Sequence, residues 1–210
     1  MSKNSKDQSA KLKLIEAAKK EFFEKGYEKA SLRSICNNAD LTTGALYFFF
    51  KDKKDIFNYI LSPLLDEINT LITAHYRSEQ TSFSDVSVIL PTDNSEDIKT
   101  AVEVLRTMYK HRQECLLFLN TPDVSSIFIN NIIKYTESHY SSVFEILAGT
   151  DQFDHYIIHW ISHMQIDAFI HLFLHEENED KAIAKVPDMV NFMIGGTYKV
   201  LEKIKNDSNS

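Results

Sequence analysis

Apolar side chains recur every three or four residues along most of this 210-residue chain, which is the spacing of one buried face of an α-helix. The first clear case is the set Ile15, Ala18 and Phe22, which predicts a helix from about Ser9 to Lys25 that stops at Gly26. No run alternates between apolar and polar residues as a strand would, and no internal repeat is present. The pattern therefore predicts an all-α protein of about nine helices.

Capping residues, prolines and glycines delimit the later helices. Asp52 can cap the fourth helix, and Asp55 three residues later completes a pair like a capping box. Pro63 falls inside a helix expected from Asp52 to about Arg77, so we expect a kink near Tyr59 to Pro63, because proline removes one backbone hydrogen bond. Further helices are expected over 98–109, 115–119 and 121–147, from after Asp151 to about His175, and over 187–203, followed by a disordered tail. Residues 78–95 are interpreted as a mobile, lid-like segment with a short helix, and the acidic run 176–180 as a solvated connection.

Residues 30–54 have the pattern of two short helices joined by a tight turn and followed by a third helix. Ser31 is placed to cap the first of them, because its hydroxyl can accept a backbone N–H that has no partner within the helix. The second begins at Leu41, with small polar residues in its first turn and Tyr47 one turn later. Such a helix suits entry into the major groove of DNA. The segment is therefore predicted to be a helix-turn-helix.

Three stretches around this segment carry particular residues at fixed spacing: Ile15-x-Ala17-Ala18-x-x-x-Phe22-x-x-x-Gly26-Tyr27-x-x-Ala30-Ser31, then the run from Gly44 to Lys53, then Asp55-Ile56-Phe57. Together they resemble the N-terminal domain of the TetR family of one-component bacterial regulators. The resemblance covers roughly the first quarter of the chain; the rest is similar to the family only in its length and helical character. It implies a helix-turn-helix domain over residues 1–54 and an effector-binding and dimerisation domain over residues 55–210.

The same resemblance implies which residues contact DNA. Residues at the start of the recognition helix would face base edges, and an arginine one turn into the preceding helix could pair with both acceptors of a guanine. Hydroxyls and a lysine at other matching positions would hold phosphates. The implied DNA-binding residues are Ser31, Arg33, Thr42, Thr43, Ala45, Tyr47, Phe48, Phe49 and Lys53.

Two residues depart from the family pattern. Asp40 stands in the turn where the family usually has glycine, and aspartate tolerates the left-handed conformation better than most residues do. Phe49 stands where the family more often has histidine or tyrosine, and it cannot donate a hydrogen bond to a phosphate. Because a phenyl ring can pack on a thymine methyl or on a sugar, we expect an operator biased towards A·T pairs.

Charge is divided unevenly along the chain. The formal charge of the whole chain is −7, yet residues 1–54 contain 12 Lys and Arg against 7 Asp and Glu. The basic part is the part with the helix-turn-helix, as expected for a segment that binds a polyanion, and Lys6, Lys11 and Lys13 could add a sequence-independent attraction. The polar N-terminus and the histidines that interrupt the most apolar window, 156–174, favour a cytoplasmic protein without a membrane segment.

The helix expected after Asp151 is apolar on nearly every side, so it needs a partner besides its own core. The resemblance implies that this helix and the last one form a homodimer interface, which would present two recognition helices to a palindromic operator. The interface residues implied are Trp160, Ile161, Met164, Phe169, Met193, Gly195 and Gly196. The resemblance also implies a pocket for a small effector, with Met108, Tyr109, Phe118, Phe128, Asn131 and Tyr135 as lining residues.

Polar residues cross the same helix at an unbroken spacing of four: His155, His159, His163, Asp167, His171 and His175. Imidazoles at that spacing can share a zinc or copper ion, but the row drifts around the helix and cannot serve one site. A polar stripe on a buried helix is the simplest interpretation. A metal site on His155, His159 and His163, or a pH-linked role, stays open.

No nucleophile–base pair, phosphate-binding loop or zinc-protease spacing is present, so we expect neither an enzyme nor a cofactor. Cys36 and Cys115 are too few for a disulfide scaffold, and Cys36 is interpreted as a small buried hydrophobe. The prediction is a dimeric regulator, a repressor rather than an activator, that binds a double-stranded DNA operator and responds to an unidentified small molecule. The alternatives are a metal-responsive regulator of the same family and a DNA-binding interaction protein without an effector.

Overall fold

The computed structural model describes residues 3–82, 94–149 and 154–208, and within them every regular element is a helix. This confirms the all-α class. The helices are α1 (Lys3–Lys29), α2 (Leu32–Asn38), α3 (Thr43–Phe49), α4 (Lys53–Ser82), α5 (Ser95–Lys110), α6 (Arg112–Leu119), α7 (Pro122–Ala148), α8 (His155–His175), α9 (Glu179–Ile183) and α10 (Val186–Ser208). Most of the lid-like segment predicted over 78–95 lies outside the described residues, and the tail predicted after position 203 continues as helix to Ser208.

The chain forms two compact units, and each contains pieces that are distant in sequence. The first unit comprises the chain up to Asp66 together with His111–Ser125, and the second comprises Glu67–Lys110 together with the chain from Ser126 onwards. The helix-turn-helix motif, on which the predicted division after residue 54 rests, is therefore only part of the first unit. This unit also includes the start of α4 and the whole of α6, which packs on α1.

Three aromatic rings and several aliphatic side chains form the core of the first unit. Phe22 and Phe57 are fully buried and meet edge to face, with 5.4 Å between ring centroids, and Tyr27 packs against Phe57 at 4.5 Å. Ile35 of α2 and Leu46 of α3 are also fully buried. Each such side chain contributes roughly 1.5–3 kcal/mol by leaving water. The stripe predicted on α1 is confirmed, because Ile15, Ala18 and Phe22 are all buried.

Gly26 interrupts α1 as predicted. Its backbone angles are φ 74° and ψ 165°, a region that is essentially restricted to glycine, and the chain turns there before α2. The start of α4 is also as predicted: Asp52 Oδ1 accepts the Asp55 N–H at 2.8 Å. In a capping box, the Asp55 carboxylate would accept the N–H of Asp52 in return. Here it accepts the N–H of Lys51 instead.

Helix α4 continues through Pro63, which supplies no N–H to the carbonyl of Tyr59 four residues earlier. The Ser62 hydroxyl donates to that carbonyl at 3.2 Å and so replaces the missing donor. A side chain thereby satisfies a backbone group that proline would otherwise leave open. The kink expected near Tyr59 to Pro63 stays a prediction.

In the second unit, α5 packs against α8, α9 and α10. A core cluster joins α7, α8 and α10 through the buried residues Val143, Phe144, Ile158, Ile161 and Leu201. The solvated connection predicted over 176–180 is wrong in its second half, because α9 begins there. Asn178 caps α9 by accepting the Lys181 N–H at 2.9 Å, and two acidic residues follow in the first turn, where they favour a helix start.

Among the described residues, no helix combines the length and the apolar character that crossing a bilayer requires.

Substituting Gly26 tests the break in α1. Gly26→Ala is expected to lower the free energy of unfolding of the first unit by about 1–3 kcal/mol, because alanine must adopt a glycine-only conformation. A new Cβ would meet nothing within 4 Å, so the cost is backbone strain rather than a clash. Urea unfolding followed by circular dichroism measures it. The matched control is Gly44→Ala within α3, which should stabilise the protein by roughly 0.5–1 kcal/mol; equal changes for both variants would contradict the assignment.

Candidate nucleic-acid interface

A tight turn sets the geometry between α2 and α3. Asp40 has a positive φ of 54°, which confirms that aspartate takes the left-handed position in this turn. Two backbone bonds close it: the Asp40 N–H donates to Asn37 O at 3.2 Å, and the Leu41 N–H donates to Cys36 O at 3.0 Å. The carbonyls at the end of α2 are thus satisfied within the turn itself.

Helix α3 is anchored on one side and exposed on the other. Thr42 is its N-cap, and the Thr42 Oγ1 accepts the Ala45 N–H at 3.2 Å, so the helix begins two residues later than the predicted Leu41. Leu46 points into the core with 0% exposure, whereas Tyr47 is 60% and Phe48 73% exposed. Aromatic rings this exposed are not part of the core and are accessible to a binding partner.

Most of the predicted DNA-binding residues lie on the exposed sides of α2 and α3. Ser31, Arg33, Thr42, Thr43, Tyr47 and Phe48 are exposed, and Ala45 and Phe49 are partly exposed. Phe49 packs edge to face against Phe48, with 4.9 Å between their centroids, so the two rings form one apolar patch. This patch follows the first turn of α3, which carries Thr43 and Gly44.

Ser31 occupies the predicted N-cap position of α2, but its hydroxyl makes no capping bond, so that part of the prediction is wrong. Instead, the Ser31 N–H donates to the carboxylate of Glu21 on α1 at 3.2 Å. Sequence reasoning missed Glu21. The available signal was its position: an acidic residue four after Ala17 and three after Ala18, on the stripe of α1 that faces the core.

Lys53 has internal partners in addition to its predicted role at a phosphate. Its Nζ donates to three backbone carbonyls at the end of α1 and just beyond, those of Tyr27 at 2.8 Å, Glu28 at 3.1 Å and Ala30 at 3.4 Å. The ammonium also lies 4.5 Å from the centroid of the Tyr27 ring. A cation at this position adds donors for carbonyls at the end of α1, where helical N–H partners run out; of the three, Tyr27 O also accepts the Ala30 N–H at 3.3 Å.

Among the N-terminal lysines, Lys11 lies against two aromatic rings, 4.1 Å from the centroid of Tyr59 and 5.6 Å from that of Phe50. Lys6 and Lys13 are exposed. Cys36 is buried as predicted, and burial raises the pKa of its thiol. Burial likewise raises the pKa of the Cys115 thiol to about 12, so both thiols are protonated at neutral pH.

The family pattern of bacterial regulatory proteins, tetR family, matches residues 14–60, which contain α2, α3 and the turn between them. In this stretch the chain is similar to the TetR family. Its N-terminal region is 34% identical over 55 residues to the HTH-type transcriptional regulator YhgD of Bacillus subtilis (strain 168), covering 26% of this chain and 29% of that protein. A second relative from the same organism, the HTH-type transcriptional regulator YttP, is 22% identical over 126 residues, covering 60% and 56%. The chain thus spans less than two thirds of both curated relatives.

Solved TetR-like structures share the fold over nearly their whole length. A transcriptional regulator from Aquifex aeolicus VF5 is 19% identical with a TM-score of 0.59, covering 88% of this chain and 99% of that one. A TetR-like transcriptional regulator from Rhodococcus sp. RHA1 is 13% identical with a TM-score of 0.55, covering 92% and 96%. The fatty acid degradation regulator FadR from Bacillus halodurans is 14% identical with a TM-score of 0.53, covering 88% and 97%.

In the described part of the chain, the histidines of α8 have different surroundings. His159 Nδ1 contacts the Glu137 carboxylate of α7, and the His159 and His163 rings lie 4.4 Å apart, whereas His155 is exposed at the first position of α8. Within residues 3–82, 94–149 and 154–208, no three His, Cys, Asp or Glu side chains come together as a metal ion would require. Nothing in the described part of the chain therefore favours the metal-responsive alternative.

The six residues predicted to line an effector pocket do not all belong to one unit. Phe118 is a buried residue of the first unit, and the other five belong to the second. There Met108 is buried, Tyr109 packs on Phe173 and donates its hydroxyl to the Glu176 carbonyl, and Tyr135 packs on Tyr76. Phe128 is partly buried and Asn131 is exposed.

Two of the seven predicted dimer residues are buried in the chain itself: Ile161 is 1% and Met193 5% exposed, so little of either side chain remains for a second copy to contact. Trp160 is 49% exposed, and Met164 and Phe169 are partly exposed. Gly195 and Gly196 are exposed on α10, and a side chain added at either would meet nothing within 4 Å. The dimer interface itself stays a prediction.

Lys53→Met tests whether this lysine acts on the fold. The variant is expected to lose about 1.5 kcal/mol of stability, the lower end for charge-assisted bonds because the side chain is partly exposed. Thermal and urea unfolding measure this change, with Lys54→Met, at the exposed neighbouring position, as the control. If Lys53 instead acts only at a phosphate, Lys53→Met would keep its stability, and the slope of log affinity against log salt would fall by about one phosphate contact.

Proposed function

We propose that this protein is a homodimeric, ligand-responsive transcriptional repressor that binds a palindromic operator through α2 and α3. One observation carries the proposal: two short helices held by a buried core expose a set of side chains suited to DNA contact. These side chains are Arg33, Thr43, Tyr47 and Phe48. Arginine can read a guanine edge, a hydroxyl can contact bases or phosphates, and exposed rings can pack on thymine methyls or sugars. The region around them is also the basic part of an acidic chain.

The proposed dimer supports recognition of a two-fold symmetric site. Besides Trp160, the exposed large apolar residues of the second unit include Tyr156 on α8 and Phe192 on α10, at 70% and 75%. The exposed Gly195 and Gly196 permit close approach of another helix because they carry no side chain. A dimer would present two copies of α3 to a two-fold symmetric operator.

The proposed effector domain is the second unit. Buried rings and polar groups meet there: Tyr76 stacks on His139 at 4.4 Å, and its hydroxyl donates to Thr136 at 3.3 Å. The similarity to FadR, which its name links to fatty acid degradation, extends to the fold alone at 14% identity. The proposal therefore assigns ligand sensing to this unit without naming the ligand. The alternative is a DNA-binding interaction protein that senses no small molecule.

The experiment that tests the proposal is selection of bound duplexes from a randomised DNA library by the purified protein, repeated with zinc and with a chelator. A two-fold symmetric consensus in both conditions is expected. Enrichment only with zinc would instead support the metal-responsive alternative. Absence of enrichment in every condition would overturn operator recognition and leave the interaction-protein alternative.

Arg33→Ala is expected to remove base discrimination at one symmetric pair of positions in the selected operator. The loss should be roughly 5- to 150-fold at that base pair, the range for one bidentate arginine–guanine contact. Competition binding with operators altered at each position measures it. The control is Lys20→Ala, an exposed cation of α1 next to Glu24, which should weaken binding to all sequences alike or not at all. An unchanged preference at every position would exclude Arg33 from base readout.

Gly196→Leu is expected to weaken the dimer without harming the protomer. The new side chain has free space in the protomer and removes a helix-destabilising glycine, but it would block close approach of a second copy. We expect the dimer dissociation constant to rise roughly 30-fold or more, the effect of one interface hot spot of about 2 kcal/mol. Sedimentation velocity over a concentration series measures it, and Asn130→Leu, at an exposed position of α7, is the control. An undiminished dimer would exclude this part of α10.

A further inference from the structure

Glu21 is a buried carboxylate with partners on two helices. Its side chain is 1% exposed, and Lys25, one turn later on α1, donates to both carboxylate oxygens at 2.8 and 2.9 Å. The other two partners belong to the start of α2: the Ser34 hydroxyl donates at 2.8 Å, and the Ser31 N–H donates at 3.2 Å. One acidic side chain therefore joins α1 to the first turn of α2.

The bonds to Glu21 outweigh the cost of burying its charge. Burial alone would raise the pKa of this carboxyl, but the hydrogen bonds from Lys25, Ser34 and Ser31 together hold the pKa below its usual value. An unpaired carboxylate at this position would cost several kcal/mol, so the side chain is stable there only while its partners keep their places. The geometry of the first turn of α2 is correspondingly constrained.

Glu21 takes the place of a cap that α2 cannot provide. In a capping box, the third helical residue reaches back to the N–H of the N-cap residue. Here that third residue is Ser34, whose own hydroxyl donates to Glu21. Glu21 accepts from both the N-cap N–H and the third residue, so α1 supplies the cap from outside α2. The Ser31 hydroxyl itself makes no capping bond, and Ser31 is exposed.

We propose that Glu21 is a positioning residue for DNA recognition: it holds Ser31 and Ser34, the two residues that bracket Arg33, and so sets the direction from which Arg33 reaches the DNA. The inference rests on the proposed DNA-binding function. Glu21 itself lies in the core and does not touch DNA. Its contribution is to specificity, because a guanidinium must meet a base edge in a defined geometry, whereas attraction to phosphate needs only charge nearby.

The test compares each variant's affinity for the selected operator with its affinity for the same operator altered at the base pair that Arg33→Ala identifies. Glu21→Gln preserves size but loses the ion pair with Lys25. We expect it to lower the ratio of the two affinities by roughly 5-fold or more, the lower bound for one bidentate contact. Ser34→Ala, which removes a single bond, should lower the ratio less, in the same direction. Glu24→Gln, an exposed acid three residues along α1, controls for the change in net charge and should keep the ratio.

Thermal unfolding establishes that each variant is folded at the assay temperature. A loss of affinity that is equal for both operators, or an unchanged ratio in the folded Glu21→Gln and Ser34→Ala variants, would overturn the positioning role and leave Glu21 with a part in stability alone. Failure of the wild-type protein to select any operator would overturn the proposed DNA recognition itself. The two negative results are distinguishable, because loss of DNA recognition would be seen in the wild-type protein, whereas loss of the positioning role would be seen only in the variants.

Discussion

The backbone N–H and C=O groups between the end of α1 and the start of α2 need hydrogen-bond partners. The packing of the first unit depends on the side chains that supply these partners. The break at Gly26 ends the regular bonding of α1, so nearby carbonyls and N–H groups lose their helical partners. Lys53 at the start of α4 takes three of the carbonyls, and Glu21 of α1 takes the Ser31 N–H. A cation from one side and an anion from the other thus hold the link, and with it α1, α2 and the start of α4.

Sequence reasoning succeeded where a residue's own conformation or local spacing decides the structure. The positive φ of Gly26 and Asp40 follows from the few residues that tolerate it, and the Asp52–Asp55 pair from residues three apart on a nascent helix. The exposed surface of α3 was predictable for the same reason, because the residues outside its buried stripe are the ones left in contact with solvent. These features need no knowledge of what packs against them.

Features that depend on contacts between distant residues could not be predicted in this way. Position 21 looks like a surface acid by residue type, and its burial depends on Ser31 and Ser34 arriving from the next helix. The sequence singled out Ser31 and Lys53 but not their hydrogen-bond partners. The partner of the Ser31 N–H, Glu21, lies ten residues away, and the Tyr27 carbonyl that Lys53 binds lies more than twenty residues away. On α8 and α10, apolar residues lie on several faces. Periodicity therefore could not predict that the side chains of Ile161 and Met193 are buried within the chain. Helix α9 was missed because an acidic run suits both a loop and a first helical turn.

The half-exposed Trp160 of α8 has a spectroscopic consequence. It is the chain's single tryptophan, so intrinsic fluorescence excited at the indole band comes from the second unit alone. An indole this accessible emits as a hydrated fluorophore. Its emission wavelength and its quenching by iodide would change if another surface covered it. The first unit contains no tryptophan and so gives no emission under this excitation. A tryptophan introduced near α3 would therefore give that unit a signal of its own, and Trp160→Phe would separate the two.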